Sequence, residues 1–406
     1  LSSQDYGAST INSAKIDNQW EATRRIITSA QADIKPFGDE RLVITPQAYW
    51  HRDVHPYQLT RGKEGAKNGE NYHRTDVYGA SLNAHATWLL GKTAVGMDIR
   101  KEHILSTAYG DLLPENEWKD IHGTDRRYDH RGDRTNTSLF LEHNVILGGF
   151  TLSAGVLANR NTGLDGDFRF YPGVDLSYRP NEMWKFYASW NKALRVPTYT
   201  DLYTSNSVQQ GDTGLRPERT STFKAGIRFR TRGVEAVVSG FYSKGNDIID
   251  WVYETEESRK YHAMNIGKLD NMGYSVDATL NMTELLPGSF VTRIKAGYAR
   301  IHQRHTTEQP VYRSLYALEY LRHKATFQLD HRIWSRLSAS WAVRWQERMN
   351  HYEPYTKVDC KLQWTAPTYS LYVKADNITN HRYYDLGGVR QPGLWIMAGG
   401  SVKIGL

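Results

Sequence analysis

The sequence predicts an all-β fold, a transmembrane antiparallel β-barrel, and three observations carry that expectation. Apolar residues make up only 39% of the 406 residues, yet the chain holds 12 Trp, 26 Tyr and 11 Phe. Disordered chains are poor in aromatics, so the low hydropathy does not signal disorder. Period-two alternation recurs from end to end, the mark of strands with one apolar and one polar face. Tight turns and long loops alternate along the chain, the sidedness of an outer-membrane barrel. No apolar run approaches the ~18 residues that a membrane-crossing helix requires, which excludes a helical membrane protein.

Seventeen strands are expected, near 22–36, 41–55, 72–90, 92–106, 134–146, 149–160, 165–179, 182–194, 217–231, 233–251, 261–282, 288–302, 318–331, 335–348, 354–365, 368–380 and 393–406. In 72–90 the apolar positions are Tyr78, Leu82 and Trp88, alternating with Gly79, Asn83 and Thr87. In 182–194 Trp184, Phe186 and Trp190 alternate with Lys185, Ser189 and Asn191. In 217–231 Phe223, Ile227 and Phe229 oppose Lys224, Arg228 and Arg230. In 335–348 Leu337, Trp341 and Trp345 oppose Ser338, Arg344 and Gln346. The last segment places Leu394, Ile396, Val402, Ile404 and Leu406 on one face. Lys and Arg so regularly on the second face require that face to meet water while the first meets lipid.

Short connections fall at 36–40, Leu90-Gly91, Gly148-Gly149, 179–182, Arg232-Gly233 and 366–368. Long ones fall near 56–71, 107–133, 195–216, 303–317 and 381–392. Short turns belong to the periplasm and long loops to the outside. The strand at 22–36 therefore runs inward, and residues 1–21 are expected in an outer loop. Single-chain bacterial barrels have even strand numbers, so an odd count implies strands outside this sequence. Leu1 is not an initiator and no signal peptide precedes it, which agrees with a processed or truncated chain.

The net charge is +7, from 51 Lys and Arg against 44 Asp and Glu, spread without a basic run. That spread, without a basic helix or zinc-finger spacing, argues against nucleic-acid binding. Cys360 is the single cysteine, so neither a disulfide framework nor a thiolate metal site is available. On the Val358, Leu362, Trp364 face it reads as a small lipid-facing residue. No G-x-S-x-G, P-loop, H-E-x-x-H or G-x-G-x-x-G pattern supports an enzyme.

Three segments resemble the TonB-dependent outer-membrane receptor family. The first is Lys374-Ala375-Asp376-Asn377-Ile378-Thr379-Asn380-His381-Arg382-Tyr383-Tyr384, followed by Gln391-Pro392-Gly393 and an alternating last strand. Asn377 and Asn380 are suited to hold a turn through side-chain to backbone bonds. The second, Arg195-Val196-Pro197 through Asp201-Leu202-Tyr203, is similar to the family's R-x-P…LY stretch. The third, Gly214-Leu215-Arg216-Pro217-Glu218-Arg219-Thr220, is similar to its L-x-P-E-x-[ST] element. Family barrels have 22 strands around an N-terminal plug. The resemblance implies that residues 1–406 are the C-terminal part of such a barrel, approximately strands 6 to 22, with the plug upstream.

It further implies an outer-membrane active transporter of a Gram-negative bacterium, taking up a scarce, bulky nutrient. Partners would be TonB–ExbB–ExbD acting on the plug, the nutrient, lipid or lipopolysaccharide, and a surface lipoprotein. Haem receptors of the family carry a His between the R-x-P and L-x-P-E elements. None lies between Pro197 and Leu215, so cobalamin or a ferric siderophore, as in Bacteroides-type receptors, is expected over haem or glycan. The rival readings are a passive porin and a membrane-embedded hydrolase.

Ligand-binding candidates come from the outer side. His51, Asp53 and His55 share one strand face, about 6.6–6.8 Å apart in succession; their plainer reading is solvated lumen residues. Arg195, Tyr199, Tyr203, Gln209 and Gln210 lie where a strand opens into a long loop. Arg and Tyr there suit a bulky, partly anionic ligand through charge-assisted bonds and stacking, and loop packing is the plainer reading. Glu115, Glu117, Asp120, Asp125, Asp129 and Asp133 offer oxygens for a structural calcium, without EF-hand spacing. No resident cofactor and no other metal is expected.

Overall fold

A computed structural model describes residues 1–7, 18–63, 69–164, 166–318, 320–349, 352–385 and 389–403. Eighteen strands form its wall: β1 (Ser2–Gly7), β2 (Trp20–Gln31), β3 (Leu42–Gln58), β4 (Glu70–Trp88), β5 (Gly91–Ser106), β6 (His130–Leu147), β7 (Phe150–Asn161), β8 (Arg169–Tyr178) and β9 (Trp184–Arg195), then β10 (Glu218–Arg230), β11 (Val234–Asn246), β12 (Gly267–Asn281), β13 (Val291–Thr307), β14 (Leu321–Arg332), β15 (Leu337–Arg348), β16 (Tyr355–Thr365), β17 (Tyr369–Asp376) and β18 (Trp395–Val402). Each pairs antiparallel with the next in chain order, so the wall is one meander. Among the described residues no ladder joins β1 to β18.

The alternation seen in the sequence fixes which face is which. Large apolar residues such as Leu82, Phe186, Phe223, Ile227, Val276 and Phe327 stand exposed on one face. That arrangement is unstable against water and expected against lipid. Turns at one end are tight. At Gly148, φ is +57°, a left-handed conformation that a side chain would strain.

The structure departs from the sequence expectation in three places. Residues 1–21 are not wholly a loop, because Ser2–Gly7 is a wall strand with Tyr6 opposite Glu21. Its Ser-Ser-Gln-Asp-Tyr-Gly sequence has no apolar alternation, so periodicity could not reveal it. The strand expected at 233–251 breaks at Asp247, whose φ is +54°. The strand expected at 261–282 breaks at Gly267, φ +106°. Between these breaks the chain leaves the wall, and its Ile249–Tyr253 and Tyr261–Asn265 join Gln209–Gln210 and Arg313–Ser314 of neighbouring loops in a small sheet. Ile404 and Leu406 of the last expected strand lie outside the described residues.

The small sheet organises a dry cap over the outer end. Leu215, Ile249, Trp251, Tyr261, Ala263 and Leu315 form one buried cluster. Ile248, Val252, Ile266 and Leu269 form a second. A third, Leu105, Leu113, Ile121 and Tyr128, lies under the 107–129 loop. These loops are therefore packed structures rather than solvated connections.

Candidate ligand pocket under the outer loops

The loop after β9 begins with a clamp. Arg195 donates to Asp201 Oδ2 at 3.1 Å and to Glu218 Oε1 at 2.6 Å. It also reaches the Ile249 carbonyl at 3.4 Å. Asp201 closes a short helix, Tyr199–Tyr203, by a capping box with Thr198. Glu218 in turn accepts the Ile249 backbone N–H at 2.9 Å. The R-x-P and L-x-P-E elements thus meet across the strand pair β9–β10 and tie two outer loops together. Arg195 is committed to this clamp.

A second lock sits at the wall break. Asp247 accepts from Arg216 at 2.8 Å and Arg219 at 2.7 Å. Burial works to raise its carboxyl, but the two guanidiniums hold it below the ordinary carboxylate range. Asp250 is a third. It is buried, accepting the backbone N–H of Trp251 at 2.8 Å, Tyr316 at 3.2 Å and Ala317 at 2.9 Å, and the Ser314 hydroxyl. Burial pushes its carboxyl upward, against the pull of these donors.

Beneath the cap lies a pocket of about 250 Å³. Its wall-side lining is Glu21, His55, Asn71 and His73. The loops contribute Tyr109, Thr200, Thr204, Asn206, Gln209, Trp251 and Tyr316. His55 Nε2 lies 3.2 Å from Glu21 Oε2, and the His73 ring stacks on Tyr109 at 4.2 Å between centroids. Burial raises the Tyr109 hydroxyl pKa, and that hydroxyl pairs with Thr204 Oγ1 at 2.9 Å. Among the described residues the lining contains no Lys and no Arg.

Of the residues singled out from sequence, His55 and Gln209 reach this pocket. Gln209 is buried and its N–H is held by Asn206 Oδ1 at 2.8 Å. Asp53 is in an ion pair with Arg25 at 2.7 Å. His51 lines a separate hollow with Tyr49, Val77, Arg100 and Glu102. Gln210 accepts from Ser205 Oγ at 3.0 Å. Tyr199 and Tyr203 stack at 6.2 Å, and the Arg134 guanidinium lies 4.7 Å over the Tyr199 ring. The Tyr199 hydroxyl is buried without a partner, and burial pushes its pKa up to about 12. Trp251, Tyr316, Asn71 and His73 were missed, because nothing in local pattern says which loop residues converge.

The acidic loop spreads its carboxylates among basic side chains. Asp120 pairs with Arg127, Glu117 with Arg131, Asp125 with Arg126 and Asp129 with His130. Asp133 pairs with His103 and Arg131. Among the described residues no three such ligands converge. At the other motif, Asn377 is buried with φ +52°. Its amide donates to the His381 and Pro392 carbonyls at 2.9 and 3.3 Å and accepts the His381 N–H at 3.0 Å. Asn380 Oδ1 accepts the Leu394 N–H at 3.0 Å. The turn chemistry expected of both asparagines is present.

Comparison with known proteins agrees with this architecture. Residues 2–378 match the family described as TonB dependent receptor-like, beta-barrel. A 78-residue stretch is 32% identical to the vitamin B12 transporter BtuB of Vibrio vulnificus (strain YJ016), covering 19% of this chain and 12% of that protein. The apoprotein of the FrpB iron transporter from Neisseria meningitidis (F5-1 variant) superposes with a TM-score of 0.71 at 16% identity, over 98% of this chain and 67% of that one. A mutant of the ferric enterobactin receptor PfeA from Pseudomonas aeruginosa gives 0.69 at 14% identity, over 95% and 62%. At such identities the structural likeness concerns the fold. The chain spans about an eighth of the curated relative and about two thirds of these solved chains. The apolar face of the wall is accordingly its lipid face, in the outer membrane of a Gram-negative cell. The match over residues 2–378 makes the assignment: this chain belongs to the TonB-dependent receptor β-barrel family.

Proposed function

We propose that the chain is the barrel part of a transporter for a scarce, bulky nutrient, driven by TonB–ExbB–ExbD acting on a plug. Cobalamin is the favoured cargo. The observation that carries this choice is the cation-free lining of the pocket, which at about 250 Å³ would receive one edge of so large a ligand. Ferric siderophores are commonly anionic, and a site for them requires Arg or Lys to offset the desolvation of their charge. This lining instead offers amides, imidazoles, hydroxyls and an indole, Asn71, Asn206, Gln209, His73, Thr204 and Trp251, beside one carboxylate, Glu21, which meets His55 at 3.2 Å. Such groups match a ligand whose periphery is rich in neutral amides. The stretch similar to a vitamin B12 transporter points the same way.

The test is a binding assay on the intact receptor in outer membranes, with cobalamin and with ferric siderophores as competitors. Cobalamin binding that Asn206→Ala and Gln209→Ala weaken about tenfold or more supports the reading. Tight siderophore binding without cobalamin binding overturns the cargo. If neither binds and small solutes leak through liposomes carrying the intact protein, the porin reading replaces the transporter.

A further inference from the structure

The wall side of the pocket is a polar row that crosses four adjacent strands. His55 on β3 stands directly opposite His73 on β4, and His73 directly opposite Ser106 on β5. Glu21 on β2 reaches His55 from the other side, its Oε2 3.2 Å from His55 Nε2. Each end of the row fixes the proton on one imidazole. Ser106 is fully buried, and its Oγ accepts the backbone N–H groups of Ala108 at 2.9 Å and Tyr109 at 2.8 Å. A hydroxyl has two lone pairs and one hydrogen. Both lone pairs are taken, so the hydrogen is donated to His73 Nδ1, 2.8 Å away. The proton of His73 therefore sits on Nε2. A carboxylate only accepts, so Glu21 makes His55 Nε2 the donor and leaves the lone pair on Nδ1.

The two rings thus present opposite atoms. His73 offers Nε2–H and His55 the lone pair of Nδ1, and neither atom has a partner among the described residues. The ring centroids are 6.2 Å apart, a gap that one small planar group spans with hydrogen bonds of about 2.9 Å to each ring. Stacking of Tyr109 on His73 at 4.2 Å holds that ring from the loop side. A donor beside an acceptor is the complement of a primary carboxamide, whose oxygen takes His73 Nε2–H and whose NH2 donates to His55 Nδ1. A carboxylate has no hydrogen to donate. It would set an oxygen against the His55 lone pair, with Glu21 behind and no Lys or Arg in the lining. A metal ion finds a single free lone pair between the two rings, fewer than it needs.

We propose that His55 and His73 are specificity-determining residues that read one primary carboxamide at the edge of the cargo, with Glu21 and Ser106 as positioning residues that set their tautomers. The inference rests on the cobalamin reading and deepens it. The corrin edge carries several carboxamide arms, and the pair selects an amide over the corresponding acid. Selection follows from what the wrong group leaves unpaired, since a site built to hydrogen-bond one group rejects an analogue that cannot complete the bonds.

The experiment measures binding to the full-length receptor in outer membranes, at about pH 8 to disfavour proton uptake with acid ligands. The probes are cobalamin and its monocarboxylic acids, each with one peripheral carboxamide hydrolysed. In the wild type at least one acid should bind about tenfold or more weakly than cobalamin. The ratio is the readout, because a variant that merely loosens the pocket lowers both affinities together. Glu21→Gln/His55→Ala removes the acceptor and the charge behind it, and should bring that acid close to cobalamin. His55→Asn, whose Oδ1 takes the place of Nδ1, should keep the ratio. His73→Ala removes the donor that amide and acid both use, so it should weaken both about tenfold, and His73→Gln, which returns an N–H near the Nε2 position, should recover both. Wild-type binding that treats every acid like cobalamin, a ratio unchanged in Glu21→Gln/His55→Ala, or undiminished binding by His73→Ala overturns the proposal and leaves the cargo reading standing. Absence of cobalamin binding to the wild type removes both.

Discussion

Replacing Asp250 by Ala should open the cap without unfolding the wall. Four donors lose their acceptor: the Trp251, Tyr316 and Ala317 amides and the Ser314 hydroxyl. Trp251 and Ser314 are buried, so water cannot replace the lost bonds there. Each such orphan costs ~1–3 kcal/mol. Tyr316 is exposed and Ala317 half-buried, and both regain water. Removing a buried carboxyl recovers part of the cost. The net local destabilisation is about 2–4 kcal/mol, and at ~1.4 kcal/mol per tenfold the cap opens about 30- to 1,000-fold more often. Amide hydrogen exchange on the full-length receptor in detergent is the direct measurement. Trp251, Ala317 and Leu315 should exchange faster by that factor, while the ladder between β11 and β12 keeps its protection. Asp250→Asn should lose less, since its amide oxygen retains the Trp251 and Tyr316 bonds. Because Trp251 and Tyr316 line the pocket, cargo affinity should fall alongside. Unchanged exchange at Ala317 in Asp250→Ala would refute the claim that this carboxyl holds the loops together.

Three further outcomes are expected. Tyr199→Phe removes a buried hydroxyl that lacks a partner, so thermal stability should hold or rise by about 1 kcal/mol; a loss of cargo affinity instead would show that the hydroxyl meets ligand. Burial raises the Tyr199 pKa from 10.0 to about 12, so the neutral form is favoured in the folded loop. Its contribution is full below pH 10 and is lost as pH rises toward 12, and exchange of the Tyr199–Tyr203 amides should accelerate in that window in wild type but not in Tyr199→Phe. On the lipid face, Val343→Arg, with Phe327 and Ala296 across the ladders, sits near mid-band and should cost ~2–4 kcal/mol in refolding titrations, whereas Trp341→Arg, one row lower, should cost ~0–1 kcal/mol. Finally, residues 1–406 alone should not refold to a heat-modifiable monomeric barrel, because β1 and β18 would leave backbone groups unpaired in lipid.

The wall was legible because lipid imposes a strict period. Trp184, Phe186 and Trp190 must all face hydrocarbon, and no other arrangement of those residues satisfies it. Asn377 and Asn380 were legible for a different reason: an asparagine side chain imitates the backbone locally, so its turn needs no distant partner. β1 was not legible, since a polar edge strand has no face to advertise. Nor were the breaks at Asp247 and Gly267, because the contacts that hold the diverted chain, Asp247 with Arg216 and Arg219 and Asp250 with Ser314 and Ala317, come from residues distant in sequence. The site was half legible. His55 and Gln209 lie near recognisable strand ends or motifs, whereas Trp251 and Tyr316 reach the pocket through a fold of the loops that spans 65 residues of sequence. Arg195 was picked for a charge that the structure spends on Asp201 and Glu218.

The two break points also separate inheritance of the wall from inheritance of the cap. Pairing between β11 and β12 ends at Gly245 opposite Leu269, and the chain departs through a left-handed residue on each side. Whatever lies between 247 and 266 hangs from two fixed posts whose spacing the ladder sets. Substitutions, insertions or a transplanted loop can be accommodated there without shifting the register of any spanning strand. Exchange of this cassette replaces one wall of the pocket, Trp251, and leaves the spanning strands as they are, so a loop graft cut at Asp247 and Gly267 is the natural unit for varying that wall.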